Sequence, residues 1–339
     1  MNAGERVRIG IIGGGSIAAQ HLSGYLGIPE AATVSAIADI DPEHARVHAD
    51  RAGGARVFLD YHDMLASDVV DAVDICLPHH LHAEAIVAAA QAGKHVLCEK
   101  PLCLTIEEAD RVQEAVAAAG ITLMCSHNQL FLPSVAAARR LLGEGILGSV
   151  YQARTTDSFF NEFDPSTMGW RAHRSTSGGG ELIDTGYHPT YLLLYLLDGE
   201  PTEVTAMLSR HRLTFMEGED SAEVLVRFAG GSVGTVTTSW AYDPAGSTEK
   251  FSVVGEAGSL WSDGLALYHR PRGGEVVELV APMDQKIDTI ALAVQDFVAC
   301  LREGRRPIHT EVEGIDVLKV ILGAYASADQ GRTISLWTL

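Results

Sequence analysis

Two short stretches of this 339-residue chain carry side chains suited to moving a proton at a bound hydroxyl. The first is Glu99-Lys100-Pro101, directly after the apolar run His95-Val96-Leu97-Cys98. A lysine at the end of a buried strand can orient an alcohol and ease loss of its proton by positive charge. The proline stiffens the turn that aims it. The second stretch is Gly178-Gly179-Gly180-Glu181-Leu182-Ile183-Asp184-Thr185-Gly186-Tyr187-His188. If it is helical, Asp184 and His188 stand four residues apart on one face. Asp184 can then fix a hydroxyl or an imidazole tautomer, and His188 can take a proton near neutral pH. The glycines ahead of them allow a cofactor or ligand to come close. Each stretch also has a plain reading, as a surface Glu–Lys pair and a solvated acid–histidine pair.

Such groups need a partner for the electrons, and the N-terminus supplies one. Val7-Arg8-Ile9-Gly10-Ile11-Ile12 is an apolar strand that turns into a helix through Gly13-Gly14-Gly15-Ser16-Ile17-Ala18. Gly13 permits the tight turn, Gly15 lets backbone approach a pyrophosphate, and Ala18 lets the helix lie close to the strand. The helix start offers free N–H groups and a positive dipole to the phosphates. The next strand, Val34-Ser35-Ala36-Ile37-Ala38, ends on Asp39, about twenty residues beyond the glycines, where an acid accepts the ribose hydroxyls of NAD. Ala38-Asp39-Ile40-Asp41 offers no Arg, Lys or Ser to a 2′-phosphate, so NAD is expected ahead of NADP.

The elements that position these groups follow two patterns. Up to residue 127, strands alternate with helices, which predicts a doubly wound parallel sheet with ligands beyond its carboxyl edge. Asp41-Pro42 opens one helix, Gly93 stops another that runs from Leu81 to Ala92, and Thr105 with Glu108 forms a capping box. Residues 128–339 read differently. A helix over Pro133–Glu144 precedes alternating stretches at Ser149–Ser158, Thr202–Ser209, Ala222–Phe228 and Ser232–Trp240, the pattern of an antiparallel sheet with one covered face. One helix over Gly179–Leu197 interrupts them. Helices over Lys286–Glu303 and Val312–Ala328 and a strand at Thr333–Leu336 end the chain, with the helices expected to pack back on the body of the molecule.

The length implies two domains. A formal charge of −19 argues against nucleic acid or an anionic membrane as partner. Five cysteines without CxxC spacing suggest neither zinc nor a redox motif. His79, His80 and His82 crowd a helix start with no carboxylate triad nearby, so no metal site is expected. With neither a signal peptide nor a membrane-spanning run, a cytoplasmic location is expected.

The glycine turn, EKP after the fifth strand and GGGxLxDxGxH together resemble the Gfo/Idh/MocA oxidoreductase family. The likeness runs on through Pro78–His82, Ala92–Val96, Trp170-Arg171, Gly255–Leu260 and Glu303–Arg305. It implies an N-terminal NAD(P)-binding Rossmann domain and a C-terminal α+β domain with an open, mostly antiparallel sheet that mediates dimers or tetramers. It also implies oxidation of a secondary alcohol of a sugar, sugar derivative or cyclitol, without metal. By the match Lys100, Asp184 and His188 form the catalytic set, with His188 as general acid/base and Lys100 polarising the hydroxyl. Cofactor contacts are expected from Gly13, Gly15, Ser16, Ile17, Asp39, Pro78, His79, His82, Glu99, Lys100, Asn128, Trp170 and Arg171. Substrate contacts are expected from Lys100, Asn128, Phe159, Arg171, Asp184 and His188. Gln129 and Leu130 stand where the family commonly carries an arginine soon after the asparagine.

Two other functions share this fold. One is an enzyme that uses tightly held NAD transiently, for glycoside cleavage or epimerisation without net redox. The other is a non-catalytic dinucleotide-sensing regulator. The presence of Lys100, Asp184 and His188 together favours an enzyme.

Overall fold

A computed structural model of the protein describes residues 5–197, 199–244, 249–282 and 287–338. By compactness the chain divides into two units, Met1–Asn128 with Asp288–Ile315, and Gln129–Ile287 with Asp316–Leu339.

In the first unit the strands are β1 (Val7–Ile12), β2 (Ala32–Ala38), β3 (Arg56–Phe58), β4 (Ala72–Ile75), β5 (His95–Cys98) and β6 (Leu123–Cys125). Between them run α1 (Ser16–Leu26), α2 (Pro42–Arg51), α3 (Tyr61–Leu65), α4 (His82–Gln91) and α5 (Ile106–Ala119). The sheet is parallel throughout, in the order β3-β2-β1-β4-β5-β6. Its central strands are largely apolar, as a sheet covered on both faces requires; Val7, Ile9, Ile11 and Val73 are fully buried. The winding reverses between β1 and β4, and the crevice at their carboxyl ends is where such sheets bind ligands.

The capping signals act as their chemistry dictates. Asp41 accepts the Glu43 N–H at 2.8 Å, and Thr105 Oγ1 accepts the Glu108 N–H at 3.1 Å. The Glu108 carboxylate answers on the Leu104 N–H at 2.8 Å, one residue before the cap. Helix α10 (Thr289–Glu303) belongs to this unit and lies on α1 at Gly24, where a Cβ would come within 3.0 Å of the Ala291 Cα. Lys286, the expected start of that helix, lies outside the described residues.

The second unit is built on a nine-stranded sheet in the order β14-β13-β12-β11-β7-β10-β9-β8-β15. The strands are β7 (Val150–Ser158), β8 (Pro201–Ser209), β9 (Ser221–Phe228), β10 (Val233–Ser239), β11 (Phe251–Gly255), β12 (Gly258–Ser262), β13 (Leu267–Pro271), β14 (Val277–Val280) and β15 (Ile334–Ser335). Only β7 and β10 pair in parallel; every other neighbouring pair is antiparallel. The chain is thus an α/β protein with a doubly wound parallel sheet followed by a mostly antiparallel one. Helices α6 (Pro133–Gly143), α7 (Arg174–Ser177), α8 (Glu181–Asp184) and α9 (Tyr187–Leu197) accompany this sheet, and α11 (Glu311–Gln330) spans the division between the units. Alternation is clean on β9, where Val224, Val226 and Phe228 are buried while Glu223, Leu225 and Arg227 are exposed. Helix α9 covers the inner face, and Gly234 of β10 makes room for it, since a Cβ there would lie 2.5 Å from Leu193 Cδ2.

One expectation needs correction. The single helix over Gly179–Leu197 is two helices, broken at Thr185-Gly186. Gly186 donates to the Glu181 carbonyl, five residues back, because its backbone is pressed against Leu182 and Thr238. Asp184 and His188 therefore stand on either side of a helix break.

Candidate functional site

The first unit ends its central strands on the residues that could hold a dinucleotide. Gly13 has φ +96°, and a Cβ on it would lie 2.5 Å from the Cys76 carbonyl oxygen, so only glycine fits this turn between β1 and β4. Gly15 is the N-cap of α1 and supplies no side-chain cap; no acidic residue stands in the first turn. Gly15 and Ser16 are exposed, Ile17 is half-buried, and a Cβ on Gly15 would meet nothing within 4 Å. The start of α1 thus has no side-chain cap, no acid in its first turn and open space beside Gly15, an arrangement that fits a pyrophosphate. Asp39 is held beside it. Its Oδ2 accepts the Gly14 N–H at 2.5 Å and its Oδ1 the Asp41 N–H at 2.7 Å. These bonds fix the carboxylate at the end of β2, where it fits a ribose diol. His48 Nε2 donates to the Gly14 carbonyl at 2.9 Å and steadies the same turn.

After β4, Pro78 precedes a short 3-10 turn that includes His79, which is buried. The His82 ring is wholly enclosed, with Nδ1 2.6 Å from the Pro101 carbonyl and Nε2 2.8 Å from the Leu77 carbonyl. Burial lowers its pKa while those two carbonyls pull it up, and the ring stitches the β4 loop to the EKP turn. Its nitrogens are spent inside the protein. The Lys100–Pro101 peptide is cis. Glu99 turns inward: its Oε1 lies 3.0 Å from His21 Nε2, and its Oε2 accepts the Lys100 N–H at 3.3 Å. His21 Nδ1 lies 2.8 Å from Asp74 Oδ2, which also accepts the Tyr25 hydroxyl at 3.0 Å. Asn128 donates from Nδ2 to Thr289 Oγ1 at 2.9 Å, tying the end of β6 to the start of α10.

Sequence reasoning did not find the His21–Asp74–Glu99 chain. Burial would push the His21 imidazole toward neutrality, but Asp74 and then Glu99 outweigh it and raise its pKa to about 10. Burial likewise opposes the Glu99 charge, yet the His21 hydrogen bond and charge, helped by Lys100, hold its pKa at about 2. Ligand-type atoms of His21, Asp74 and Cys76 lie within 4.8 Å of one another. Both ring nitrogens are nevertheless engaged by carboxylates, and burial pushes the Cys76 thiol well above its usual range, away from the thiolate that binds metal.

In the second unit the glycine run has a different purpose from the one expected. A Cβ on Gly179 would lie 2.0 Å from the Tyr325 hydroxyl, and one on Gly180 would lie 2.0 Å from the Glu219 carbonyl. The opposing Gly218 is similarly tight, since a Cβ on it would lie 2.4 Å from the Gly180 Cα. Gly179 thus makes room for the Tyr325 side chain, and Gly180 and Gly218 for each other's backbone and that of Glu219. Glu181 N–H donates to Glu219 O at 2.9 Å, and Leu182 N–H donates to Glu219 Oε1 at 2.9 Å, so α8 hangs on the residue before Asp220. Asp184, buried at the end of α8, accepts from Arg171 Nε at 2.9 Å. The Arg171 guanidinium lies 4.3 Å from the centre of the Trp170 ring.

His188 follows the break, with Nδ1 2.8 Å from the Tyr191 hydroxyl. That hydroxyl accepts the Gln129 N–H at 3.0 Å, and the Gln129 amide donates to Asp157 Oδ2 at 3.2 Å. Lys250 Nζ reaches the same carboxylate at 3.2 Å. Burial works against the Asp157 charge, but Lys250, His188 and Gln129 overcome it and lower its pKa. Tyr191 and Lys250 were missed because neither lies in a recognisable motif; only the helical spacing of Tyr191 to His188 could have signalled it. Phe159 packs against a small cluster of Met168, Leu213, Met216 and Trp240, whereas Phe160 is the exposed ring, with Arg212 3.9 Å above it.

Comparison with known proteins identifies the family. Residues 7–127 match the oxidoreductase family with an NAD-binding Rossmann fold, and residues 135–261 match the Gfo/Idh/MocA C-terminal domain. The chain is 32% identical to the levoglucosan dehydrogenase of Pseudarthrobacter phenanthrenivorans over 76% of its own length and 73% of that protein's. It is 30% identical to the 1,5-anhydro-D-fructose reductase of Ensifer adhaerens over 98% of this chain and 99% of that one. A solved levoglucosan dehydrogenase in complex with NADH and levoglucosan has a similar fold, with a TM-score of 0.88 and 26% identity over 98% of this chain and 100% of the other. With both family domains matched in order along it, this chain belongs to the Gfo/Idh/MocA family of oxidoreductases.

Proposed function

We propose that this protein is an NAD-dependent dehydrogenase that oxidises a secondary hydroxyl of a sugar, sugar derivative or cyclitol. The observation that carries the reading is the uncapped start of α1 beside a fixed Asp39 carboxylate, with Lys100 following another strand of the same sheet. The turn, Asp39 and the Pro78-His79 segment would hold NAD, which when bound accepts a hydride from the carbinol carbon. Lys100 would orient and polarise the hydroxyl, and His188 would take its proton, held by Tyr191 and accompanied by Asp184 with its Arg171 partner. Phe159, Asn128 and Trp170 are assigned to the surroundings of the site on the family match. Named activities of relatives on levoglucosan and 1,5-anhydro-D-fructose support an anhydrosugar or pyranose as the first substrates to try.

The test is a screen of anhydrosugars, pyranoses, glycosides and inositols, read by formation of reduced nicotinamide. Reduction of NAD by at least one of them is expected. The Lys100→Ala variant should lose about 10²- to 10⁴-fold in kcat while its affinity for NAD stays nearly unchanged. Turnover without added NAD and without net reduction would replace this reading by the non-redox one. Equal efficiency with NADP would overturn the role given to Asp39.

The outer face of the second sheet supports self-association as a homodimer or homotetramer. Met207, Leu225 and Val254 are exposed, and the strand registers set all three on that face. Light scattering on the purified protein checks it, and a monomer at micromolar concentration would refute it.

A further inference from the structure

Behind Lys100, and outside every role assigned above, lies a wholly buried histidine between two acids. His21 sits in the second turn of α1, the helix whose start is offered to the dinucleotide. Each of its ring nitrogens faces a carboxylate oxygen, Asp74 Oδ2 at 2.8 Å and Glu99 Oε1 at 3.0 Å. A carboxylate can only accept, so both contacts are hydrogen bonds only if both nitrogens carry protons. The side chains of His21 and Asp74 have no solvent exposure and that of Glu99 has 12%. The ring thus joins three pieces of backbone, α1, β4 and the end of β5, by charge-assisted bonds.

We propose that His21 is a positioning residue for the Lys100 chemistry: a permanent imidazolium that keeps Glu99 ionised and turned inward, and so fixes the EKP turn against the cofactor helix. This rests on the catalytic role proposed for Lys100. Glu99 precedes that lysine, donates its own N–H to the Ile75 carbonyl at 3.0 Å, and accepts the Lys100 N–H on its second oxygen. With the Glu99 side chain pulled onto His21, the lysine stem leaves from a fixed point. The groups that face the ring and its partners are Tyr25 on α1, Cys76 beyond β4, Cys98 and Lys100 at the end of β5, Ser126 beyond β6, and His82 on α4. Among them Lys100 adds a second positive charge, and burial lowers the His82 pKa against the pull of its two carbonyl partners. Without the imidazolium, Glu99 would be a nearly buried carboxylate with a single cation, and burial would favour its protonated form.

His21→Gln, Glu99→Gln and the double variant test this through the pH dependence of kcat/KM, with the NAD dissociation constant measured beside it. In His21→Gln we expect kcat to fall about 10- to 100-fold near neutral pH, as expected for a small misplacement of a reacting group. NAD affinity should change by less than about threefold. The acid limb of the profile should move up to between about pH 5 and 7, the range of a buried glutamic acid that has lost its cation. In the double variant the limb should return to its wild-type place, and the rate should be no lower than in His21→Gln. A uniform loss with an unmoved limb, or multiplicative losses in the double variant, would make His21 merely structural and overturn the proposal.

Should His21→Gln fail to fold, selective ¹⁵N labelling of histidine in the intact protein decides the matter. Both His21 ring nitrogens must read as protonated from about pH 6 to about pH 8.5, well above the usual histidine range. A nitrogen that reads as unprotonated at the upper end, or a stoichiometric metal ion released when His21 is replaced, would overturn the proposal. If Lys100→Ala keeps full activity, the catalytic reading fails instead, and the nitrogen signals still report on His21 alone.

Discussion

Glu99 and Glu181 are both buried acids beside proposed catalytic residues, one next to Lys100 and the other three residues before Asp184, yet their charge states are opposite. Glu99 has an imidazolium at 3.0 Å, and that bond holds its pKa at about 2. The groups that chiefly shift Glu181 include no cation. Burial pushes its pKa well above the carboxylate range, the Thr238 hydrogen bond opposes this, and the charges of Glu219, Asp157 and Asp184 add to it. The Thr238 hydroxyl is within hydrogen-bond reach of both the Asp157 carbonyl, at 2.9 Å, and Glu181 Oε1. The second Glu181 oxygen is buried without a hydrogen-bond partner among the described residues. Burial removes solvation from both acids; the difference is a cation within reach. One acid is a charged strut, the other is pushed toward its neutral form.

The contrast is broken most severely at Asp74. Asp74→Asn keeps the shape but removes the carboxylate that accepts from both His21 and Tyr25. Breaking a buried charged pair costs about 3–5 kcal/mol. We expect a loss of that size in the unfolding free energy, read from denaturant titration. The matching change in the second unit, Glu219→Gln, should cost about 1 kcal/mol, the worth of an ordinary hydrogen bond, because burial already raises the Glu219 pKa toward the neutral form. Equal losses would mean that charge pairing does not distinguish the two regions.

The same division separates what could be read from the sequence from what could not. The first unit was legible because its strands are apolar runs punctuated by caps and glycines, and local rules fix both. The four strands from Phe251 to Val280 were not, since β13 and β14 bury little and show no apolar alternation. Gly179 and Gly180 were visible as glycines, but their reason lies in Tyr325 and Glu219, distant in the chain. His21 was similarly hidden. It lies on a helix already explained by its glycine start, and its partners are 53 and 78 residues away. Motifs mark residues that touch ligands; the residues that hold those motifs in place are set by tertiary contacts.

A second, smaller effect sharpens the comparison through pH. Glu99 has its folded pKa at about 2 against 4.5 for the free group, so its contribution is present above about pH 4.5 and fades as pH falls toward 2. His21 is raised from 6.5 to about 10, so its contribution is complete below pH 6.5 and is lost as pH rises toward 10. The paired network therefore stabilises the fold most between those limits. Thermal midpoints of His21→Gln and the wild type, taken across pH, should differ most near pH 5 to 6 and converge toward both extremes. A constant difference would show that the ring acts by packing alone.

The smallest effect has the opposite sign and comes from Glu181. Its folded pKa is raised, so above about pH 4.5 the unfolded chain releases this proton while the folded protein keeps it. The unfolded state then binds fewer protons, and this group lowers stability as pH rises. Glu181→Gln retains a neutral donor of nearly the same shape and removes the ionisation. Near pH 4 the variant should be within about 1 kcal/mol of the wild type, the scale of one altered hydrogen bond. With rising pH it should gain on the wild type and overtake it before pH 8, because only the wild type has a proton to lose on unfolding. Thermal midpoints at a series of pH values read this directly. A variant that falls further behind as pH rises would show that Glu181 is ionised in the folded protein, and the contrast with Glu99 would collapse.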